Sequence, residues 1–153
     1  MEICAYGNLD HFLELDTFDH SWELCAEILG HPDCQDIVLD LGMPVKYGGR
    51  PFNTRVIALN GRILGIRPKI WLCNDGNYRE MRYFTPWKER LVEEYTLPHH
   101  IRELHGQTKT KIGDFVYQFK DGTRFAAETC EELWTPDSPH TSYTLQGVDI
   151  VGM

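Results

Sequence analysis

The sequence contains no uninterrupted apolar run approaching the ~18 residues of a membrane-spanning helix. Its N-terminus, Met-Glu-Ile-Cys-Ala-Tyr-Gly, has no basic region followed by an apolar stretch, so it does not read as a secretory signal. Internal repeats, low-complexity tracts and Ser/Gly-rich linkers are also missing, which favours a single domain over residues 1–153. Positive charge is scarce: 15 Lys and Arg face 23 Asp and Glu, for a net charge of −8. The basic residues are scattered rather than gathered into a stripe. An acidic surface repels a phosphate backbone, so general nucleic-acid binding is not expected. There is no Cys-x-x-Cys pair, no His-Glu-x-x-His, no Gly-x-Ser-x-Gly and no phosphate-binding glycine loop.

What is present suits a globular domain with a real core, since 42% of the residues are hydrophobic and 25% charged. The five cysteines (Cys4, Cys25, Cys34, Cys73 and Cys130) are odd in number, which points to free thiols in a reducing, cytoplasmic setting. Trp22, Cys25, Ala26 and Leu29 recur at helical spacing, predicting a helix from about Asp19 to Leu29 with Gly30 as its C-terminal cap. Residues 36–43 read as a strand stopped by Pro44. Asn60-Gly61 between two apolar runs predicts a hairpin over Thr54–Ile66, because both central residues of a type I′ turn need positive φ. A second hairpin is expected over Asp114–Cys130, around Lys120-Asp-Gly-Thr123. Residues 67–112 form a long, polar, aromatic-rich stretch of the kind that carries sites, and residues 147–153 read as a strand. Hairpins interspersed with helices predict an α/β sandwich, a sheet with helices on one face.

Cys130 stands where the second hairpin breaks into Glu131-Glu132. A cysteine at a strand end can be an exposed nucleophile, although a small buried hydrophobe is the commoner fate of a free thiol. Reactivity requires a thiolate, hence a nearby cation or base. Lys69 in Arg67-Pro68-Lys69 is the best candidate cation, with apolar neighbours suited to a partly buried ammonium. The bland alternative is a solvated surface lysine. Glu128 lies two residues before Cys130, on the same strand face; it can serve as a base or, more simply, pair with an arginine or lysine. Asn74-Asp-Gly76 is a turn that gathers Tyr78, Arg79, Glu80, Arg82 and nearby aromatics. His31-Pro-Asp-Cys34, with His99, His100 and His105, has the spacing of half a zinc site, but lacks the second half, and no metal is expected.

Four segments, taken together, resemble one family: Glu2-Ile-Cys-Ala-Tyr-Gly-Asn-Leu-Asp-His-Phe-Leu-Glu-Leu-Asp, Gly42-Met-Pro-Val, Arg67-Pro-Lys-Ile-Trp-Leu-Cys-Asn-Asp-Gly-Asn-Tyr-Arg-Glu-Met-Arg-Tyr-Phe-Thr-Pro-Trp, and Glu128-Thr-Cys-Glu-Glu-Leu-Trp-Thr-Pro-Asp-Ser-Pro-His. They resemble the N-terminal carbon–nitrogen hydrolase (nitrilase-like) domain of eukaryotic glutamine-dependent NAD synthetases. The resemblance implies a nitrilase-like α-β-β-α fold and a Glu-Lys-Cys triad that hydrolyses the side-chain amide of glutamine. It assigns Cys130 as nucleophile, Lys69 as triad lysine, Tyr6, Tyr78 and Glu131 as glutamine-holding residues, and Glu80 as the carboxylate that orients the site. It further implies homo-oligomers, and ammonia passed to an ATP-dependent synthetase domain outside this sequence. ATP and magnesium would belong to that domain, leaving no cofactor here.

The family's triad glutamate sits in a Pro-Glu pair just upstream of the first segment, so residues 1–153 are expected to be a domain fragment truncated at both ends. Glu2 is not that base, because a two-residue shift moves a carboxylate by about 6–7 Å. Impaired catalysis, with an exposed sheet edge, is the corresponding expectation. The rival expectations are a non-catalytic remnant that associates with full-length synthetase, and another nitrilase-branch amidase.

Overall fold

The computed structural model describes residues 1–153. After a 3-10 segment at Tyr6–Leu13, helix α1 runs Leu15–Gly30 and a short turn leads into strands β1 (Val38–Tyr47), β2 (Arg50–Leu59) and β3 (Arg62–Pro68). Helix α2 (Glu80–Tyr83), strand β4 (Glu93–Thr96), helix α3 (His99–His105) and strand β5 (Lys109–Ile112) follow. The chain closes with β6 (Tyr117–Gln118), β7 (Arg124–Ala127), a 3-10 turn at Cys130–Trp134, helix α4 (Pro139–Leu145) and β8 (Ile150–Gly152).

Two sheets result. The larger has the order β1-β2-β3-β5-β4, the smaller β6-β7-β8. The β2–β3 hairpin turns at Asn60 and Gly61, with φ of 50° and 72°, as the Asn-Gly pair predicts. β5 then joins β3 in parallel, and β8 joins β7 in parallel. Both hairpins and the terminal strand therefore form, the second hairpin with shorter arms than its sequence pattern suggests.

The main core lies between the helices and one face of the larger sheet, where Trp22, Cys25 and Leu29 of α1 meet Met43, Val56, Ile66 and Ile112. On the opposite face Ile57 packs against Tyr117, Phe125 and Ala127 of the smaller sheet. The stack is thus helix–sheet–sheet, with α4 fastened to β7 where the Tyr143 hydroxyl donates to the Ala127 carbonyl at 3.3 Å. The expected α/β sandwich is present, and a second sheet covers the face of the larger sheet opposite the helices, as the two-sheet arrangement implied by the resemblance requires.

Two boundaries differ from the sequence-based expectation. Helix α1 starts four residues earlier and includes Gly30, and His31 closes it in an extended conformation (φ −70°, ψ 134°). The reason is Pro32, since a residue before proline is driven out of the helical region. Pro44 does not stop β1, which continues to Tyr47. β1 is an edge strand with a partner on one side only, so a missing N–H is tolerated there.

Candidate active site

The site is assembled from the exit of β3, the loop before α2, the N-terminal 3-10 segment and the turn after β7. Pro68 ends β3, and the next residue is tied back to β2 by the Lys69 N–H, which donates to the Asn53 carbonyl at 2.8 Å. This fixes the direction of the Lys69 side chain, which is 2% exposed and not solvated. Its Nζ donates to Oε2 of Glu80 at 2.8 Å. The Glu80 carboxylate is a hub: Oε1 accepts from Asn53 Nδ2 at 2.9 Å and Oε2 also accepts from the Cys73 N–H at 2.6 Å. Two buried charges are tolerated because each is paired and the remaining acceptor positions are filled.

The Tyr6 phenol lies against this hub. Burial raises it well above the usual tyrosine value, and the neighbouring Glu80 carboxylate raises it further. Its ring tilts against that of Tyr78 at 6.1 Å. The Cys73 thiol is raised too, by burial first and then by the adjacent Glu131 carboxylate. Glu131 is therefore placed at the rim of the same region.

Cys130 is solvent-exposed and takes φ of 50° at the first position of its 3-10 turn. A non-glycine residue in this left-handed region carries strain, and such strain persists where the surroundings over-determine it. Here Glu132, 0% exposed, supplies the constraint. Its carboxylate accepts from the N–H groups of Thr129 at 2.7 Å and Ile70 at 2.5 Å, and pairs with Arg67.

Cys130, Tyr6, Tyr78, Glu80, Asn53 and Trp134 line one open cavity of about 480 Å³. A concavity of about 620 Å³ is larger and also holds a thiol, Cys4, beside His11 and Glu14. Cys4 is half-buried, however, and burial raises its thiol, whereas Cys130 is exposed at the rim of its cavity. Of the residues singled out from sequence, Cys130, Glu80, Tyr6 and Tyr78 line the cavity, Lys69 stands behind its wall on Glu80, and Glu131 stands beside Cys73.

Glu128 does not face the cavity. β7 ends at Ala127 and the chain turns at Cys130, so the alternation that put both side chains on one face is broken. Glu128 is 2% exposed and holds the N–H and Nδ1 of His140, each at 3.1 Å; its partner is a histidine rather than an arginine or lysine. The half-zinc pattern also disperses. His31 lies against Asp33 and His105 against the Ala26 carbonyl, while His99 and His100 converge on Asp19. Asn53 and Glu132 were not picked out from sequence. An asparagine inside a strand pattern is a signal for the first, since the residue type is depleted there. For Glu132 the signal is the Thr129-x-x-Glu132 capping-box pattern, in which the Glu132 carboxylate accepts the Thr129 N–H at 2.7 Å.

The profile of the carbon–nitrogen hydrolase family matches residues 1–152. The glutamine-dependent NAD(+) synthetase of Saccharomyces cerevisiae is 51% identical over 152 residues, which is 99% of this chain and 21% of that protein. The Homo sapiens glutamine-dependent NAD(+) synthetase is 49% identical, again over 99% of this chain and 21% of its own length. The chain thus spans about a fifth of the length of the curated relatives it matches. The crystal structure of a glutamine-dependent NAD(+) synthetase from Cytophaga hutchinsonii superposes with a TM-score of 0.71 at 31% identity, covering 83% of this chain and 20% of that one. The corresponding structure from Acinetobacter baumannii gives 0.71 at 21% identity, over 96% and 23%, and supports the fold alone. The fold is that of the nitrilase-like domain of these enzymes, present in part.

Proposed function

The chain belongs to the carbon–nitrogen hydrolase family, and we propose that it is an amide-hydrolysing part of a glutamine-dependent NAD(+) synthetase. The observation that carries the proposal is an exposed cysteine held at positive φ beside a cavity lined by Glu80, with the buried Lys69 paired to that carboxylate from behind. In this reading the Cys130 thiolate attacks the side-chain carboxamide carbon of glutamine. Lys69 and a backbone N–H stabilise the oxyanion, and Glu80 keeps the ammonium aimed. Tyr6, Tyr78 and Glu131 hold the substrate. Ammonia leaves, water hydrolyses the glutamyl thioester, and the ammonia passes to an ATP-dependent synthetase domain that amidates nicotinic acid adenine dinucleotide.

The thiol proton needs an acceptor. Glu80, Glu128 and Glu132 are engaged by Lys69, His140 and Arg67, and Glu2 by Arg55. Glu131 is not so engaged, and the resemblance, rather than the geometry, implies that the base is a glutamate of a Pro-Glu pair preceding the Glu2-Ile-Cys-Ala-Tyr-Gly segment. Ammonia and glutamate release from glutamine tests both parts. A polypeptide that includes the Pro-Glu pair is expected to exceed residues 1–153 by about 10²–10⁴-fold. Equal rates would refute the assignment of the base. Cys130→Ala in the longer polypeptide is expected to lower the rate by more than about 10³-fold, and retained activity would refute the nucleophile.

A second reading, association with a full-length synthetase without catalysis, is favoured by β8, where Ile150 and Val151 are 54% and 37% exposed on an edge strand. Co-purification of the two polypeptides would support it, and light scattering showing residues 1–153 as a free monomer beside the full-length enzyme would exclude it.

A further inference from the structure

One carboxylate joins the two segments that carry the proposed nucleophile and lysine. Thr129 immediately precedes Cys130, and its N–H donates to Glu132 Oε2 at 2.7 Å. Ile70 immediately follows Lys69, and its N–H donates to Glu132 Oε1 at 2.5 Å; the Trp71 N–H reaches the same oxygen at 3.4 Å. Arg67, two residues before Lys69, donates through Nη1 to Oε2. Both flanks of Lys69 and the near flank of Cys130 are thereby fastened to one fully buried group.

The rest of the surroundings explains why a carboxylate is needed. Arg67 is 1% exposed, and its Nε and Nη2 have no hydrogen-bond partner. Asp114, the other nearby anion, lies 3.6 Å from Nε and already accepts the Tyr143 hydroxyl. A neutral side chain at 132 would leave Arg67 short of charge, and an amide would offer one acceptor oxygen where the N–H groups of Thr129 and Ile70 occupy two. The hold on Thr129, which fixes the chain entering Cys130 and its left-handed backbone, would then be weakened.

We infer that Glu132 is a positioning residue, one that sets Cys130 against Lys69 while touching neither substrate nor the reacting atoms. The inference rests on the reading of Cys130 and Lys69 as a working pair. The capping box at the start of the turn is therefore more than a local cap: its glutamate reaches across to β3 and registers two strand ends against each other.

The test is the rate at which iodoacetamide alkylates Cys130, followed by peptide mass spectrometry so that the other four thiols do not interfere. In otherwise unsubstituted protein, Lys69→Met is expected to slow alkylation about tenfold, as the reading of Cys130 and Lys69 as a working pair requires. Glu132→Asp keeps the charge opposite Arg67 but is too short to reach both N–H groups. In that background Lys69→Met should change the rate by less than about twofold, since the two segments are no longer fastened to one carboxylate. A persisting tenfold effect would overturn the inference. In the glutamine assay, Glu132→Asp should lower kcat about 50-fold and leave KM within about threefold, because substrate contacts are untouched. A rise in KM alone would also overturn it. Thermal melts of each variant guard against misfolding, and if Glu132→Asp does not fold it is replaced by Glu132→Gln combined with Arg67→Met, which removes the buried cation together with its counter-charge. Absence of any Lys69→Met effect before Glu132 is altered would mark failure of the underlying pair instead.

Discussion

Lys69 and Glu80 are each 2% exposed, with 2.8 Å between ammonium and carboxylate. Neither charge would be stable alone at that depth, so the two residues behave as one unit. Glu80→Leu should destabilise the protein by about 3–5 kcal/mol in urea unfolding, the cost of stranding a buried ammonium. Lys69→Met combined with Glu80→Leu should recover part of that loss, because the stranded ammonium is removed while Asn53 Nδ2 and the Cys73 N–H stay without their acceptor. Simple addition of the two single-variant costs would show that the pair is not coupled. Lys69 was visible in the sequence as a lysine among apolar neighbours after a strand, and Glu80 as part of an aromatic-rich loop. That one neutralises the other was not visible, since 11 residues and a change of element separate them.

At the scale of elements, the β2–β3 hairpin is the most local device in the fold. Gly61 has φ of 72°, and a Cβ there would stand 3.4 Å from His105 Nδ1. Gly61→Ala is expected to cost about 1–2 kcal/mol by the urea midpoint, because an L side chain in the left-handed region clashes with the backbone. An unchanged midpoint would mean that the turn can relax to another type. The hairpin was legible because its signal is confined to adjacent residues. Helix α1 was legible through Trp22, Cys25, Ala26 and Leu29, and its end was misplaced by one residue because the extended bias of His31 before Pro32 outweighed the capping preference of Gly30. The end of β1 was misplaced because Pro44 forbids a central strand and not an edge strand, and edge status is a property of the sheet.

For the whole molecule, alkaline pH is the informative perturbation. Burial pushes the Tyr95 phenol up to about 12, only partly offset by its hydrogen bond with Trp22, and burial pushes the Cys25 thiol up to about 12. Burial also holds Tyr117 well above 10. In the unfolded chain these acids ionise near their ordinary values, 9.0 for the thiol and 10.0 for the phenols. The folded state therefore keeps protons that the unfolded state gives up, and stability is complete below about pH 9 and falls between about pH 9 and 12. Tyr95 alone contributes on the order of 2 kcal/mol to that fall. Urea midpoints should be level from about pH 7 to 9 and decline above, with tyrosinate absorbance of these residues appearing together with unfolding. Full titration of all seven tyrosines near pH 10 in still-folded protein would contradict this.

The sequence by itself determined the two hairpins, the buried face of α1 and the family resemblance, because each depends on neighbours along the chain or on long, unusual segments. Cys130 was identified at that level as a thiol at a strand end, and by resemblance as a nucleophile. Only the tertiary structure decided that Glu128 turns away to His140, that Lys69 is buried on Glu80, and that Glu132 holds Thr129 and Ile70 together. Those outcomes depend on contacts between residues up to 62 positions apart. No periodicity encodes such contacts. They follow from which buried charge finds a partner once the sheets have packed.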